Sequence, residues 1–247
     1  VNRVGKGRAI LMNLLVNGYQ TTTLGGVGGE LSSQTSGAEI FCRNLRHLVG
    51  GLLKSSGVHE RCSVTAANEL PYPCQTMLRN SGGNYVFGIM KFTQEGNTFD
   101  MSKGTEVNVK LPVKGHLYNV REKKYLAYGD SFKMKLVPAW GYLYTVLQNR
   151  IERVEVTAPL KLKRGTMLKT GFRAVAEKGS AGPQVFHVEF LRPDGTADKV
   201  YSKNIATEDG SGEYSLQTAY NDVPGKWILR VTNVNTGLTG EKSIEFQ

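Results

Sequence analysis

The alternation of apolar and polar residues between Thr105 and Leu147 restricts the fold more than any other stretch of the chain. Val107, Val109 and Leu111 alternate with polar neighbours, as do Phe132, Met134 and Leu136, and Leu143 and Val146 follow among tyrosines. A period of two is the mark of half-buried strands. Pro112 and Gly115, Tyr128-Gly129-Asp130, and Pro138 with Gly141 fall between the runs as turn residues. The stretch predicts a series of short antiparallel strands whose apolar face needs a second layer, for which the preceding segment, residues 76–92, is the nearest candidate.

That segment reads MLRNSGGNYVFGIMKF around Ser81-Gly82-Gly83-Asn84. Glycine and asparagine accept positive φ at little cost, so a tight reversal at Gly82-Gly83 predicts a hairpin. Residues 59–149 are expected to form one small antiparallel β domain. From about residue 150 the pattern changes to seven short runs, at 150–156, 166–176, 185–191, 197–201, 212–219, 226–231 and 242–246. They are separated by turn clusters such as Arg192-Pro193-Asp194-Gly195 and Asp222-Val223-Pro224-Gly225. Such spacing predicts an immunoglobulin-like sandwich over 150–247, without an inter-sheet disulfide and with Trp227 as a core plug.

The first 58 residues differ. Ala9 to Val16 is a nearly unbroken apolar run, read as a strand buried on both faces as in a parallel sheet. Glycine-rich 24–29 follows. Ile40, Phe41, Leu45, Leu48, Val49, Leu52 and Leu53 then form a helical stripe ending at Gly57 in the C′ position. One strand and one helix cannot bury each other fully, so residues 1–58 are expected to be an α/β fragment of a larger upstream domain, or else to dock on the β domain that follows. The chain opens at Val1 and runs straight into a strand, the expectation for a piece of a longer protein. The fold class is therefore mainly β, made of a partial α/β unit, an antiparallel β domain and a C-terminal immunoglobulin-like β-sandwich.

A chain of 247 residues with 40% hydrophobic content can bury a proper core, and its longest apolar run is too short and too interrupted to span a membrane. The formal net charge of +10 is spread along the chain rather than gathered in a patch. Its densest clusters, at 121–124 and 161–164, read as a turn and a solvated strand face. No RNP pattern, helix-turn-helix or zinc finger accompanies them, so nucleic acid is not an expected partner. Cys42, Cys62 and Cys74 have no metal-ligand spacing. Buried free thiols are expected, with a Cys62 to Cys74 bridge as the alternative.

Catalytic patterns are scarce. Gly5-Lys6-Gly7 precedes its strand, whereas a dinucleotide fingerprint follows one. The glycines of 24–29 lack a Lys-Ser/Thr partner. His47, His59, His116 and His187 are scattered, no nucleophile elbow occurs, and Glu106, Glu122 and Asp130 read as surface acids. No catalytic residue, metal site or cofactor is expected. Trp140, Tyr142 and Tyr144 occupy alternate positions and are the candidate carbohydrate-binding residues, since sugar rings offer apolar faces to aromatic platforms. Packing in the core or between domains is the competing reading of the same three.

The phrases GKGRAILMNLL, LLKSSGV, RNSGGNYVFGIMKF, LPVKGHLYNVREKKYL and VPAWGYLYTVL, in this order over residues 4–147, resemble the C-terminal region of multidomain glycoside hydrolases of the β-galactosidase family 42 type. The resemblance implies the end of a flavodoxin-like, amidotransferase-related domain followed by a small β domain, with the catalytic barrel upstream. Residues 150–247, with YNDVPGKWILRVTNVNTG, resemble a bacterial immunoglobulin-like or macroglobulin-like domain. No catalytic motif of the family matches a position here. The expected function is a non-catalytic accessory region of a bacterial, extracytoplasmic carbohydrate-active protein. Its partners would be the upstream domain of the same protein, a carbohydrate and a second copy of itself. A carbohydrate-binding or adhesion module, and a self-contained glycoside hydrolase, are the alternatives.

Overall fold

The structure, a computed structural model, describes residues 2–4, 7–9, 47–58, 61–66, 74–91 and 104–247. It is mainly β and divides into two compact units. The first takes in 1–60, 91–104 and 137–139. Its described elements are an antiparallel hairpin of β1 (Asn2–Val4) with β2 (Gly7–Ala9) and the helical residues 47–55, here α1. The apolar run after Ala9, the glycine-rich loop and the first half of the helical stripe lie outside the described residues. The end of α1 follows the expected chemistry. Gly57, at φ 81°, donates to the Lys54 carbonyl at 3.1 Å, and Val58 donates to Leu53 at 3.0 Å, the paired bonds that close a helix through a left-handed residue. Leu48 and Leu53 are exposed there.

The second unit holds two β modules. The first is a curled antiparallel sheet of β3 (Ser63–Ala66), β4 (Gln75–Ser81), β5 (Asn84–Met90), β6 (Thr105–Asn119), β7 (Lys124–Leu136) and β8 (Tyr142–Leu147). β6 is its spine. β7 runs along one edge, while β3 pairs over 107–110 and β8 over 116–119 along the other; β8 then leads to β5 and β5 to β4. The hairpin over β4 and β5 reverses at Gly82 and Gly83, both at positive φ, as the sequence predicts. It is not a second layer, however. It joins the same sheet through β8, and the sheet covers its own apolar face by curling around Phe87, Val109, Leu117, Leu136 and Val146.

The expected short strands also merge. β6 passes through Pro112 and Gly115, and β7 through Gly129, with a register shift between 110 and 115 instead of a turn. Proline and glycine mark an irregularity as readily as a reversal when a partner strand continues alongside. The true reversal is at 120–123, where Lys123 has φ 53°. Beyond the irregularity both faces are covered. Leu117 and Val146 enter the core of the sheet itself, and the next residues, Tyr118 and Leu147, enter the core of the C-terminal module.

That module is a sandwich, as expected. β9 (Ile151–Thr157), β11 (Met167–Ala176) and β14 (Ser211–Gln217) make one sheet, in the order β14-β11-β9. The other comprises β10 (Lys161–Leu162), β12 (Gln184–Leu191), β13 (Ala197–Thr207), β15 (Gly225–Asn233) and β16 (Thr239–Phe246), in the order β10-β16-β15-β12-β13. All pairs are antiparallel except β10 on β16, a two-residue strand too short to show in the sequence pattern. Trp227 is 1% exposed, stacks on Phe246 at 4.7 Å and donates its indole N–H to the Val223 carbonyl at 2.8 Å.

The one strongly buried carboxylate of the sandwich is organised at the start of β13. Asp198 accepts from Arg192 at 2.7 Å and from the backbone N–H groups of Val200 and Tyr201 at 2.9 and 3.1 Å. Burial pushes its pKa up, but the Arg192 guanidinium and those two N–H groups outweigh it and hold the carboxyl below the ordinary aspartate value.

Two outcomes follow for stability. Trp227→Ala removes the largest fully buried side chain and is expected to cost about 3–5 kcal/mol in chemical denaturation. Since the folded-state pKa of Asp198 lies below its unfolded value, its contribution is full above the ordinary aspartate range near ~3.9 and is lost as pH falls through the folded value. Denaturation midpoints measured from neutral to acid pH are expected to fall less steeply in Asp198→Asn, which starts from a lower stability.

Candidate functional site

The two β modules meet through side-chain amides placed at strand ends. Asn84 opens β5 directly after the Gly82-Gly83 reversal and is 6% exposed. Its Nδ2 donates to the carbonyls of Ala181 and Pro183 at 3.2 and 3.3 Å, and its Oδ1 accepts from the Gln148 N–H at 3.1 Å. Gln184 opens β12 and is 2% exposed. Its Oε1 accepts from Asn233 at 3.0 Å and Asn235 at 2.8 Å, while its Nε2 donates to the Ala181 carbonyl at 2.7 Å. Thr145 of β8 reaches the Asn235 carbonyl at 3.1 Å, and Asn149 reaches that of Ser180 at 2.8 Å. The backbones also come close. A Cβ on Gly237, at φ 79°, would lie 2.3 Å from the Lys123 Cβ, so only glycine lets the β15–β16 turn touch the β6–β7 turn.

Beside this joint lies an open cleft of about 810 Å³, lined by Ser81, Asn84, Gln148, Asn149, Ser180 and Glu208 among others. Its lining is polar and mostly neutral, and Glu208 is its only carboxylate among the described residues. Hydrolysis of a glycoside by the usual route takes two carboxylates. Among the described residues no three of His, Cys, Asp or Glu gather where a metal ion could sit, and no helix is long and apolar enough to cross a membrane. Cys62 and Cys74 are half-buried, and the Cys62 thiol faces the Thr76 hydroxyl at 3.6 Å. Glu106 and Glu122 are exposed.

The three aromatic candidates separate in the structure. Tyr144 is 3% exposed and packed between Phe87 and Phe132, at 6.3 and 4.5 Å between ring centroids. Burial pushes its phenol pKa far up. Tyr142 is half-buried against the same core. Trp140 is 46% exposed, with the Arg121 guanidinium 5.7 Å from its ring centre. Alternation along β8 thus directs two rings inward and leaves one outside, just before the strand begins.

A second aromatic group had gone unnoticed, because its members come from strand positions that meet only on pairing. His116 and Tyr118 on β6 stand opposite Tyr128 and Tyr125 on β7. The His116 ring lies 4.8 Å from that of Tyr128, and its Nδ1 is 3.3 Å from the Tyr125 hydroxyl. Lys114 sits over Tyr128 at 5.3 Å and Arg150 over Tyr125 at 4.8 Å, both within cation–π range. Burial pushes the His116 pKa down, with Glu177 opposing and Arg150 reinforcing that shift. The His-x-Tyr and Tyr-x-x-Tyr spacings on the two arms of one hairpin were the available signal.

No family model and no curated protein matches the chain. Among solved structures, a superoxide reductase (neelaredoxin) from Ignicoccus hospitalis is similar at 12% identity, over 39% of this chain and 82% of that one, with a TM-score of 0.31. A β-glycosidase from Bacteroides vulgatus is similar at 13% identity, over 65% of this chain and 24% of that one, with a TM-score of 0.28. Salmonella α-2-macroglobulin gives 13% identity, 66% and 18% coverage and a TM-score of 0.28. The chain therefore spans a quarter or less of the glycosidase and of the macroglobulin, and no activity passes to it from any of the three.

Proposed function

We propose that this chain is a non-catalytic accessory region of a bacterial carbohydrate-active protein, a structural piece that holds an immunoglobulin-like sandwich at a fixed angle to a small curled sheet. The joint, in which Asn84, Thr145 and Asn149 donate to backbone carbonyls of the sandwich, carries the reading. Flexible linkers between modules expose their polar groups to water; here Asn84 and Thr145 are buried and bonded to backbone carbonyls of the sandwich, and Tyr118 and Leu147 of the sheet belong to the sandwich core. A fixed spacing of modules is what such a joint provides. The resemblance of residues 4–147 to the C-terminal region of family 42 β-galactosidase-type enzymes supplies the kind of parent. Sandwiches of this architecture recur in cell-surface proteins, which agrees with an extracytoplasmic parent.

A carbohydrate-binding module is the second reading, favoured by the exposure of Trp140. Glycan-array binding that is lost in Trp140→Ala, with the melting temperature unchanged, would select it.

The structural reading is tested at the joint. Asn84→Ala leaves the Gln148 N–H and the Pro183 carbonyl without the Asn84 amide, while the Ala181 carbonyl keeps Gln184, and is expected to cost about 1–3 kcal/mol. The double variant Asn84→Ala with Thr145→Val, which removes side-chain bonds from the sheet to the sandwich, is expected to keep its far-ultraviolet circular dichroism while small-angle scattering shows a broadened distribution of module orientations. An unchanged scattering profile, or hydrolysis of chromogenic glycosides by the wild-type chain, counts against it.

A further inference from the structure

The joint leaves one built feature of the second unit without a role. Tyr128, His116 and Tyr125 form a row of rings along one face of the β6–β7 ribbon, with centroid spacings of 4.8 and 6.0 Å. A cation stands at each end, Lys114 over Tyr128 and Arg150 over Tyr125. Tyr128 is 56% exposed, although it lies in a strand opposite a half-buried histidine. Among the described residues neither Lys114 nor Arg150 has a carboxylate within ion-pair distance, whereas Arg153, Arg173, Arg192 and Arg230 all do. Both cations rest on aromatic faces, which leaves their N–H groups open to an anion.

We propose that this row binds an acidic polysaccharide, with Tyr128 stacking on a sugar ring and Lys114 and Arg150 taking the carboxylate or sulfate groups that the chain carries. Each part has a physical task. A phenol ring presents a flat apolar face to the C–H side of a pyranose and a hydroxyl to its rim. The two cations stand at opposite ends of a row of three rings, a separation suited to charges on successive sugars rather than on one. His116, whose Nδ1 faces the Tyr125 hydroxyl, offers its other ring nitrogen between them; burial lowers its pKa and so favours the neutral ring, with Arg150 acting in the same sense. Glu177 is the carboxylate that acts on His116, and it opposes an anionic ligand at the Arg150 end. The inference goes beyond the structural reading and does not require it, because the ribbon carries the rings whether or not the modules are held at a fixed angle.

Calorimetric titration of the intact chain with oligogalacturonate, heparin-derived oligosaccharides and neutral cello-oligosaccharides tests it. Binding of at least one of the two charged ligands, and of neither at high salt, is expected. Tyr128→Ala, Lys114→Gln and Arg150→Gln are each expected to weaken that binding about tenfold, the equivalent of ~1.4 kcal/mol, and Glu177→Gln to tighten it. Which charged ligand binds separates carboxylate from sulfate recognition. Lys169→Gln, on an exposed position of β11, removes the same charge away from the row and is expected to change nothing. The proposal is overturned if neither charged ligand binds, if the neutral ligand binds as well as they do, or if Lys169→Gln weakens binding as much as Lys114→Gln. Loss of the joint phenotype in the Asn84 variants would leave these results unchanged, so the two readings fail separately.

Discussion

The relation between the two β modules depends on neutral side chains of the sheet finding backbone carbonyls of the sandwich out of water. A carboxylamide buried without a partner costs several kilocalories on transfer scales, so Asn84 is tolerable inside only in the geometry that brings it the Ala181 and Pro183 carbonyls, while Gln184, Asn233 and Asn235 bond one another within the sandwich and fix the edge it meets. The surrounding apolar residues supply attraction without direction. The amides supply direction: a small rotation of sheet against sandwich would strand donors and acceptors together. None of these groups titrates near neutral pH and none carries charge, so the angle they set is insensitive to salt and proton concentration.

The sandwich was legible in the sequence because its determinants are local. Each strand alternates, each connection carries Gly, Pro, Asp or Asn, and Trp227 announces the core by sitting in phase with Leu229 and Val231. The curled sheet was less legible for a physical reason. Pro112, Gly115 and Gly129 have turn chemistry, yet the strand beside them continues, and pairing on both sides of the break, over 105–110 and 115–119 of β6, outweighs local preference. At 120–123 the β6–β7 ribbon lacks a continuing partner, and there it reverses.

The sites were the least legible. Trp140, Tyr142 and Tyr144 are alike in sequence, and only the closure of the sheet decides that Tyr144 packs among Phe87 and Phe132 while Trp140 stays outside. The joint was invisible for a related reason: Asn84 and Ala181 are 97 residues apart, and an asparagine after a glycine pair reads as turn chemistry in any sequence. The row of rings along the ribbon depends on register across β6 and β7, and a shift of one residue would send those side chains to the opposite face.

The length of chain between joint partners bears on how the molecule assembles. Thr145 and Asn235 are 90 residues apart, whereas the sandwich closes through hairpins of neighbouring strands such as β15 and β16. Contacts that span long loops form late, after local units have already ordered. Docking of the two modules is then the last event on the way to the native state and the first to reverse. Under load or on warming, the chain would part along its amide seam while both halves kept their strands, exposing Tyr118 and Leu147 as the surfaces most prone to unwanted association.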